Sequence, residues 1–185
     1  PKGGPYNKWY GNFWVKVNWE DNGYEIKNFF DDKGKLRSRP QSEKFYFKEG
    51  VTYCSSGSRG CSFRYLPANQ IISGAGPGIF PSEKYSNINY YLGFLNTILS
   101  TYLLESLNPT VNVTQGDIKR VPFARPNEKN EQMVDVLVQN NIDIKKHLCT
   151  YSVVEQNYSH SPITPASSPE SELTRYYNYE NALLT

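Results

Sequence analysis

Between Ile88 and Leu103 apolar side chains return every three or four positions, and no other stretch of the chain constrains its fold as tightly. Ile88, Tyr91, Leu92, Leu95, Ile98, Leu99, Tyr102 and Leu103 fall on one stripe of a 3.6-residue helix. The spacing predicts an amphipathic helix from about Ser86 to Leu107. Asn108-Pro109 stops it, because a residue before proline avoids helical dihedrals. A stripe of that width needs a surface to cover, so the remaining residues have to supply a sheet or further helices.

The preceding residues read as short strands. Phe13, Val15 and Val17 alternate with Trp14, Lys16 and Asn18, the period of a half-buried strand, and Trp19 extends the inward set. Asp21-Asn22-Gly23 reads as a turn, after which Tyr24 to Phe30 resumes an extended pattern. Asp31 to Pro40 is a polar loop with four positive charges in the seven residues from Lys33 to Arg39. Phe45-Tyr46-Phe47, Val51-Thr52-Tyr53, Phe63 with Tyr65, and Gln70-Ile71-Ile72 continue the strand pattern. Beyond the long helix, Val111 to Val113 and Ile118 to Phe123 read as extended. A second helix opens on Asn127 as its N-cap and runs through Met133, Val134, Leu137 and Val138. A last one opens at Ser168-Pro169-Glu170, with a cap, a proline at the first position and acid in the first turn.

Composition narrows the class. The 185 residues suffice for one domain with a core and a small appendage, and 38% apolar with 21% charged residues describe a folded chain. Aromatics are in surplus, with 15 Tyr, 9 Phe and 3 Trp; they suit a half-buried pleated surface and also stack on bases or sugars. A net charge of +2 gives no global field that would draw in a polyanion. Neither a membrane-length apolar run nor a secretory signal pattern is present in the sequence. Three cysteines, Cys54, Cys61 and Cys149, are too few and too irregular for a disulfide framework, which points to a reducing cytoplasm. The chain opens on Pro1 rather than Met and is expected to be part of a longer protein.

Several arrangements could carry chemistry. Gln70 to Gly78 looks like a strand feeding a glycine loop, but Pro77 interrupts it and Phe80-Pro81 follow where a phosphate cradle needs a helix. A surface loop is the better reading. Cys54, Cys61, His147 and Cys149 offer soft ligands, yet only the last two are closely spaced, so they read as buried or incidental thiols. His147 and His160 sit in a polar tail without a nucleophile beside them, and Asp31-Asp32 and Glu20-Asp21 read as solvated turn acids. No catalytic, cofactor or metal residue is assigned. The remaining signal is basic. Lys33, Lys35, Arg37, Arg39, Lys44 and Lys48 gather in one loop-strand region, Arg59 and Arg64 on the next, and Lys119, Arg120 and Arg125 further on. Asp31, Asp32, Glu43 and Glu49 dilute the first group, so charge alone leaves a DNA-contacting surface and a solvated face both open.

Longer stretches are more specific. Pro5-Tyr6-Asn7-Lys8-Trp9-Tyr10-Gly11-Asn12, Val17 to Lys27, Phe47-Lys48-Glu49-Gly50-Val51-Thr52-Tyr53, Tyr90 to Asn96, Leu107 to Asn112 and Gln115 to Pro122 follow one another in order. Together they resemble the region after the catalytic core of PglX-type adenine-specific DNA methyltransferases of BREX phage defence. The resemblance covers about residues 5 to 126, and only Ile142-Asp143-Ile144 and Ser161-Pro162 continue it beyond. Tyr91 to Gln132 also resembles the end of a target-recognition domain in Type I specificity subunits, with Asp117-Ile118 through Pro122, then Pro126 and Glu131-Gln132, in the matching order.

The resemblance implies an α+β DNA target-recognition domain at residues 1–126, with short, mostly antiparallel strands packed on the long helix. A helical spacer follows at 127–185. On that reading the basic residues Lys33, Lys35, Arg37, Arg39, Lys44, Arg59 and Arg64, on the Lys33–Arg39 loop, the stretch just after it and the Gly57–Arg64 stretch, are the expected contacts with double-stranded DNA. The Asn/Asp-Pro-Pro-Tyr/Phe signature of adenine methylation is not in the sequence. Catalysis and S-adenosylmethionine are therefore expected in an N-terminal methyltransferase domain, with other defence-system proteins as further partners. A protein-interaction module of the same complex is the alternative.

Overall fold

The computed structural model describes residues 1–57, 59–82, 85–161 and 168–182; Pro162 and Ser58, which fall in stretches singled out above, lie outside the described residues. A three-stranded antiparallel sheet sits at the centre. β1 (Gly50–Tyr53) runs between β2 (Phe63–Leu66) and β3 (Gly78–Ile79), with Val51 opposite Tyr65 on one side and Ile79 on the other. These are β-branched and aromatic residues that fit a pleated, covered surface, and all of β1 is buried. Trp9 adds a single parallel bridge outside β2, its N–H donating to the Phe63 carbonyl at 2.9 Å and its own carbonyl accepting the Tyr65 N–H at 2.8 Å.

The long apolar stripe forms two helices rather than one. α2 (Ile88–Leu95) ends at Asn96, and α3 (Ile98–Leu107) restarts with Thr97 as N-cap, whose hydroxyl accepts the Ser100 N–H at 3.1 Å. Asn96 explains the break. Its amide donates to the Phe63 carbonyl at 3.0 Å and its side-chain oxygen accepts the Phe63 N–H at 3.2 Å, so one side chain pairs with the backbone of β2. Its own carbonyl accepts the Lys8 ammonium at 2.9 Å instead of the N–H four residues on. Leu92, Leu95 and Leu104 remain buried, whereas Ile98, Leu99 and Tyr102, counted on the same stripe, are 89%, 61% and 65% exposed.

α2 lies on the sheet and against α5 (Glu128–Cys149), which starts on the expected cap, Asn127. Gly93 makes the approach possible: a Cβ there would lie 2.9 Å and 3.0 Å from methyls of Val138 and Val134. α6 (Pro169–Asn181) opens on Ser168 with proline in its first turn, as expected. Part of the aromatic surplus is also accounted for here. Tyr85, Tyr90, Tyr91 and Phe94 surround Phe123, with Tyr91 stacked on it at 4.6 Å.

Several expected strands are absent from the described residues. Around Phe13 the chain is irregular, without a strand neighbour, and Val15 and Val17 are 51% and 49% exposed. The groups that a ladder would use are held instead by Glu155, which accepts the N–H of Asn12 (2.7 Å) and of Phe13 (3.1 Å) and the Trp14 indole N–H (2.9 Å). Tyr24 is helical rather than extended. It lies in α1 (Glu20–Lys27), whose start contains three left-handed residues, Asp21, Asn22 and Gly23, at the turn that the sequence marks. Glu43–Phe45 is one 3₁₀ turn, and Gln70 to Ile72 is loop, with the Gln70 carbonyl accepting the Phe47 N–H. In place of a strand at Ile118 to Phe123 there is α4 (Gln115–Arg120), because Thr114 and Asp117 form a capping box that nucleates a helical turn. The α+β class stands, with fewer strands and more helix than the alternation suggested.

Candidate nucleic-acid interface

The residues after α1 build a hairpin that stands clear of the core. Phe30 bridges Leu36 across two antiparallel segments, the Asp31 N–H donates to the Lys35 carbonyl at 3.0 Å, and the Arg37 N–H to the Phe29 carbonyl at 2.8 Å. The tip is closed by Asp31. One of its carboxylate oxygens accepts the main-chain N–H of Lys33 (3.0 Å) and of Lys35 (2.9 Å), and its carbonyl accepts the Gly34 N–H at 2.9 Å. Gly34 takes φ 72°, a left-handed conformation that a residue with a Cβ adopts at a cost, and nothing lies within 4 Å of where that Cβ would be. Asp31 is therefore engaged in the turn, with Arg37 3.9 Å from its second oxygen, and Lys33, Lys35 and Arg37 are exposed around the tip.

Arg39 continues this surface. It lines a cleft of about 460 Å³ together with Trp19, Tyr46, Ile72, Gly74 and Gln115. Gly74 in turn accepts the Ser55 hydroxyl at 3.4 Å from the β1–β2 connection, the segment that carries Arg59. That connection is stitched on its other side to residues 111–113, Gly57 N–H to the Val111 carbonyl and Val113 N–H to the Ser55 carbonyl. The hairpin's downstream arm and Ser55 thus border one glycine loop, while Gly60, next to Arg59, lies beside Glu105 of α3. The glycine loop closes as a tight turn, Ser73 and Gly76 exchanging backbone hydrogen bonds at 3.2 Å, and feeds β3 rather than a helix. Lys44 is exposed beside the ring of Phe45, 5.1 Å from its centroid.

Arg64 is placed elsewhere. It sits in β2 between β1 and Trp9 and has no exposed surface. One guanidinium nitrogen donates to the Lys2 carbonyl at 3.1 Å; Nε and Nη1 have no hydrogen-bond partner among the described residues, and burial pushes its pKa down. Six of the seven expected cations are on the surface, and the seventh is in the core.

A groove of about 830 Å³ between α2 and α5 has the opposite character. Asn87 donates to Glu131 at 2.7 Å and to Asp135 at 2.9 Å, the Tyr85 hydroxyl donates to Glu131 at 3.0 Å, and the Tyr65 hydroxyl donates to Glu49. Burial and those acidic acceptors raise the pKa of both tyrosines. These acids come from separate stretches of the sequence, so no local pattern announces the groove. Glu49, Glu131 and Asp135 outnumber the lining's one lysine, Lys146, so the wall disfavours phosphate.

Among the described residues no cluster of three or more His, Cys, Asp and Glu is arranged to hold a metal ion. The thiols of Cys61 and Cys149 are buried and pushed up to about 12, too high for a thiolate at neutral pH. No helix among the described residues is long and apolar enough to cross a membrane.

No protein-family model matches the chain. It is 33% identical over 136 residues to the adenine-specific methyltransferase PglX of Lacticaseibacillus casei strain Zhang, a match covering 73% of this chain. It is 31% identical over 147 residues to the adenine-specific methyltransferase BrxX of Escherichia coli O9:H4 strain HS, covering 78%. The chain spans about 11% of the length of each relative.

Proposed function

We propose, on the premise that this chain belongs to the PglX-type family of adenine-specific methyltransferases, that it is a DNA target-recognition module. The observation that supports this reading best is the 29–37 hairpin, where Asp31 closes the turn while Lys33, Lys35 and Arg37, against the single exposed acid Asp32, face solvent. Lys33, Lys35, Arg37, Arg39, Lys44 and Arg59 neutralise phosphates and fix the register, and arginine forks read guanine edges. Adenine is flipped and methylated by a separate domain of the parent protein, which binds S-adenosylmethionine. The whole assembly serves restriction-modification or BREX phage defence in the cytoplasm.

Fluorescence anisotropy with a labelled duplex tests the reading. The chain is expected to bind weakly, with a steep loss of affinity as salt rises. Changing Lys33, Lys35, Arg37 and Arg39 to Ala should reduce the slope of log affinity against log salt by up to about 3.6, or roughly 0.9 for each phosphate no longer neutralised. Absence of binding even at low salt refutes it. Incubation with S-adenosylmethionine and duplex should give no methyl transfer by this chain alone.

A second reading has its own support in the exposed Ile98, Leu99 and Tyr102 on α3, which suit docking to another protein of the defence complex. If Ile98→Ser with Tyr102→Ser abolishes partner capture while DNA binding is untouched, α3 is the protein-binding face. Loss of DNA binding in that variant assigns α3 to the duplex instead.

A further inference from the structure

We infer that Phe30 and Leu36 are the groove-reading pair of this hairpin, making apolar contact with thymine 5-methyl groups in the major groove; the inference rests on the DNA-recognition reading above. The two residues face each other across the ribbon as a non-hydrogen-bonded pair, the arrangement in which cross-strand side chains approach most closely. Their side chains share one face because alternate residues of a strand point to opposite sides. Phe30 is 52% and Leu36 43% exposed, and from Asn28 to Arg37 only Asp31 is even half-buried. The hairpin therefore offers water an apolar pair that no element among the described residues covers.

Charge selects the occupant. Lys33 stands at the tip beside exposed Asp32, and Lys35 and Arg37 flank Leu36 in sequence, so by the same alternation they leave the ribbon on its other face. An apolar protein partner would have to leave those cations unpaired, whereas a duplex presents phosphates on both rims of a groove and methyl groups on its floor. A two-stranded ribbon fits a major groove about 12 Å wide, and thymine is the base that exposes a methyl there. In this arrangement the cations hold the rims and supply a salt-dependent term. Phe30 and Leu36 supply an apolar term that salt does not screen.

The experiment uses the full 185-residue chain. Anisotropy is measured across a salt series with a mixed-sequence duplex and with the same pool carrying deoxyuridine in place of thymidine, which removes the methyls alone. Wild-type protein is expected to bind the uracil duplex about fourfold more weakly for each thymine methyl that the pair covers, from the transfer of one methyl group out of water. Phe30→Ala with Leu36→Ala should lower affinity for the thymine duplex at every salt concentration, leave the salt slope unchanged, and bind both duplexes equally. Phe30→Leu, which keeps an apolar side chain, should retain the preference for thymine. Equal wild-type binding to both duplexes, or a double-alanine variant that matches wild type, overturns the inference while the DNA reading stands. No wild-type binding to either duplex overturns both.

Discussion

Glu155, only 9% exposed, takes three donors from residues 12–14, and no other acceptor among the described residues takes them. Glu155→Ala leaves two backbone N–H groups and an indole N–H without partners. The expected cost is at least about 3 kcal/mol of unfolding free energy, read from the urea midpoint at unchanged m-value. Asp117 makes a different kind of prediction. One of its oxygens accepts from the Asn108 amide at 2.8 Å, the Thr114 N–H at 2.9 Å and the Thr114 hydroxyl at 2.8 Å, and these bonds, the Asn108 one foremost, hold its carboxyl below the usual carboxylate range. A lowered carboxylate contributes stability that is in place above the unfolded-state value, about 3.9, and disappears as pH falls through the lowered one. Wild-type protein should therefore lose stability more steeply on acidification than Asp117→Asn, as measured by unfolding midpoints between about pH 6 and about pH 2. An identical acid profile for the two proteins would exclude the effect. At this scale the sequence reveals charge but not exposure. Lys33, Lys35, Arg37 and Arg39 are legible as a cluster because they sit in one turn-rich loop. Arg64 looks the same in a tally of cations, yet β1 on one side and Trp9 on the other bury it, and neither neighbour is local to it.

Among elements, what is legible is what local chemistry decides. Asn127 and Ser168 announce α5 and α6 because a capping side chain bonds to N–H groups two or three residues away. The break between α2 and α3 has a readable sign as well, since Thr97 followed by Ser100 offers a cap in mid-stripe, but the force that makes it a break is the pairing of Asn96 with β2 33 residues earlier. The segment around Phe13 is the opposite case. Its alternation is that of a strand, but the structure gives it a carboxylate as partner rather than another strand, and periodicity does not register that difference. The seam between α2 and α5 supplies a test at this level. Gly93→Leu has to push Val134 and Val138 aside in a close-packed contact and should cost about 1–3 kcal/mol. Restoring room with Val138→Ala in the same protein should recover part of the loss; a variant as stable as wild type would mean that the helices are not packed this closely.

Taken as one body, the protein carries both a basic ribbon, Lys33 to Arg39, and a largely acidic groove between α2 and α5. Residues after Pro126 complete the body. α5 covers α2, and Glu155 holds residues 12–14. A chain ending at Pro126 is accordingly expected to lose its cooperative thermal transition by circular dichroism, and a sharp melt would establish that the shorter piece stands alone. The pairing of Asn12 with Glu155 spans 143 positions. A ribosome adding roughly 5–20 residues per second leaves roughly 7–30 s between the emergence of the first partner and the second. During that interval Trp14 and its neighbours are bare, so a pause in translation past α5 would lengthen the time in which proteases and chaperones can reach the start of the chain.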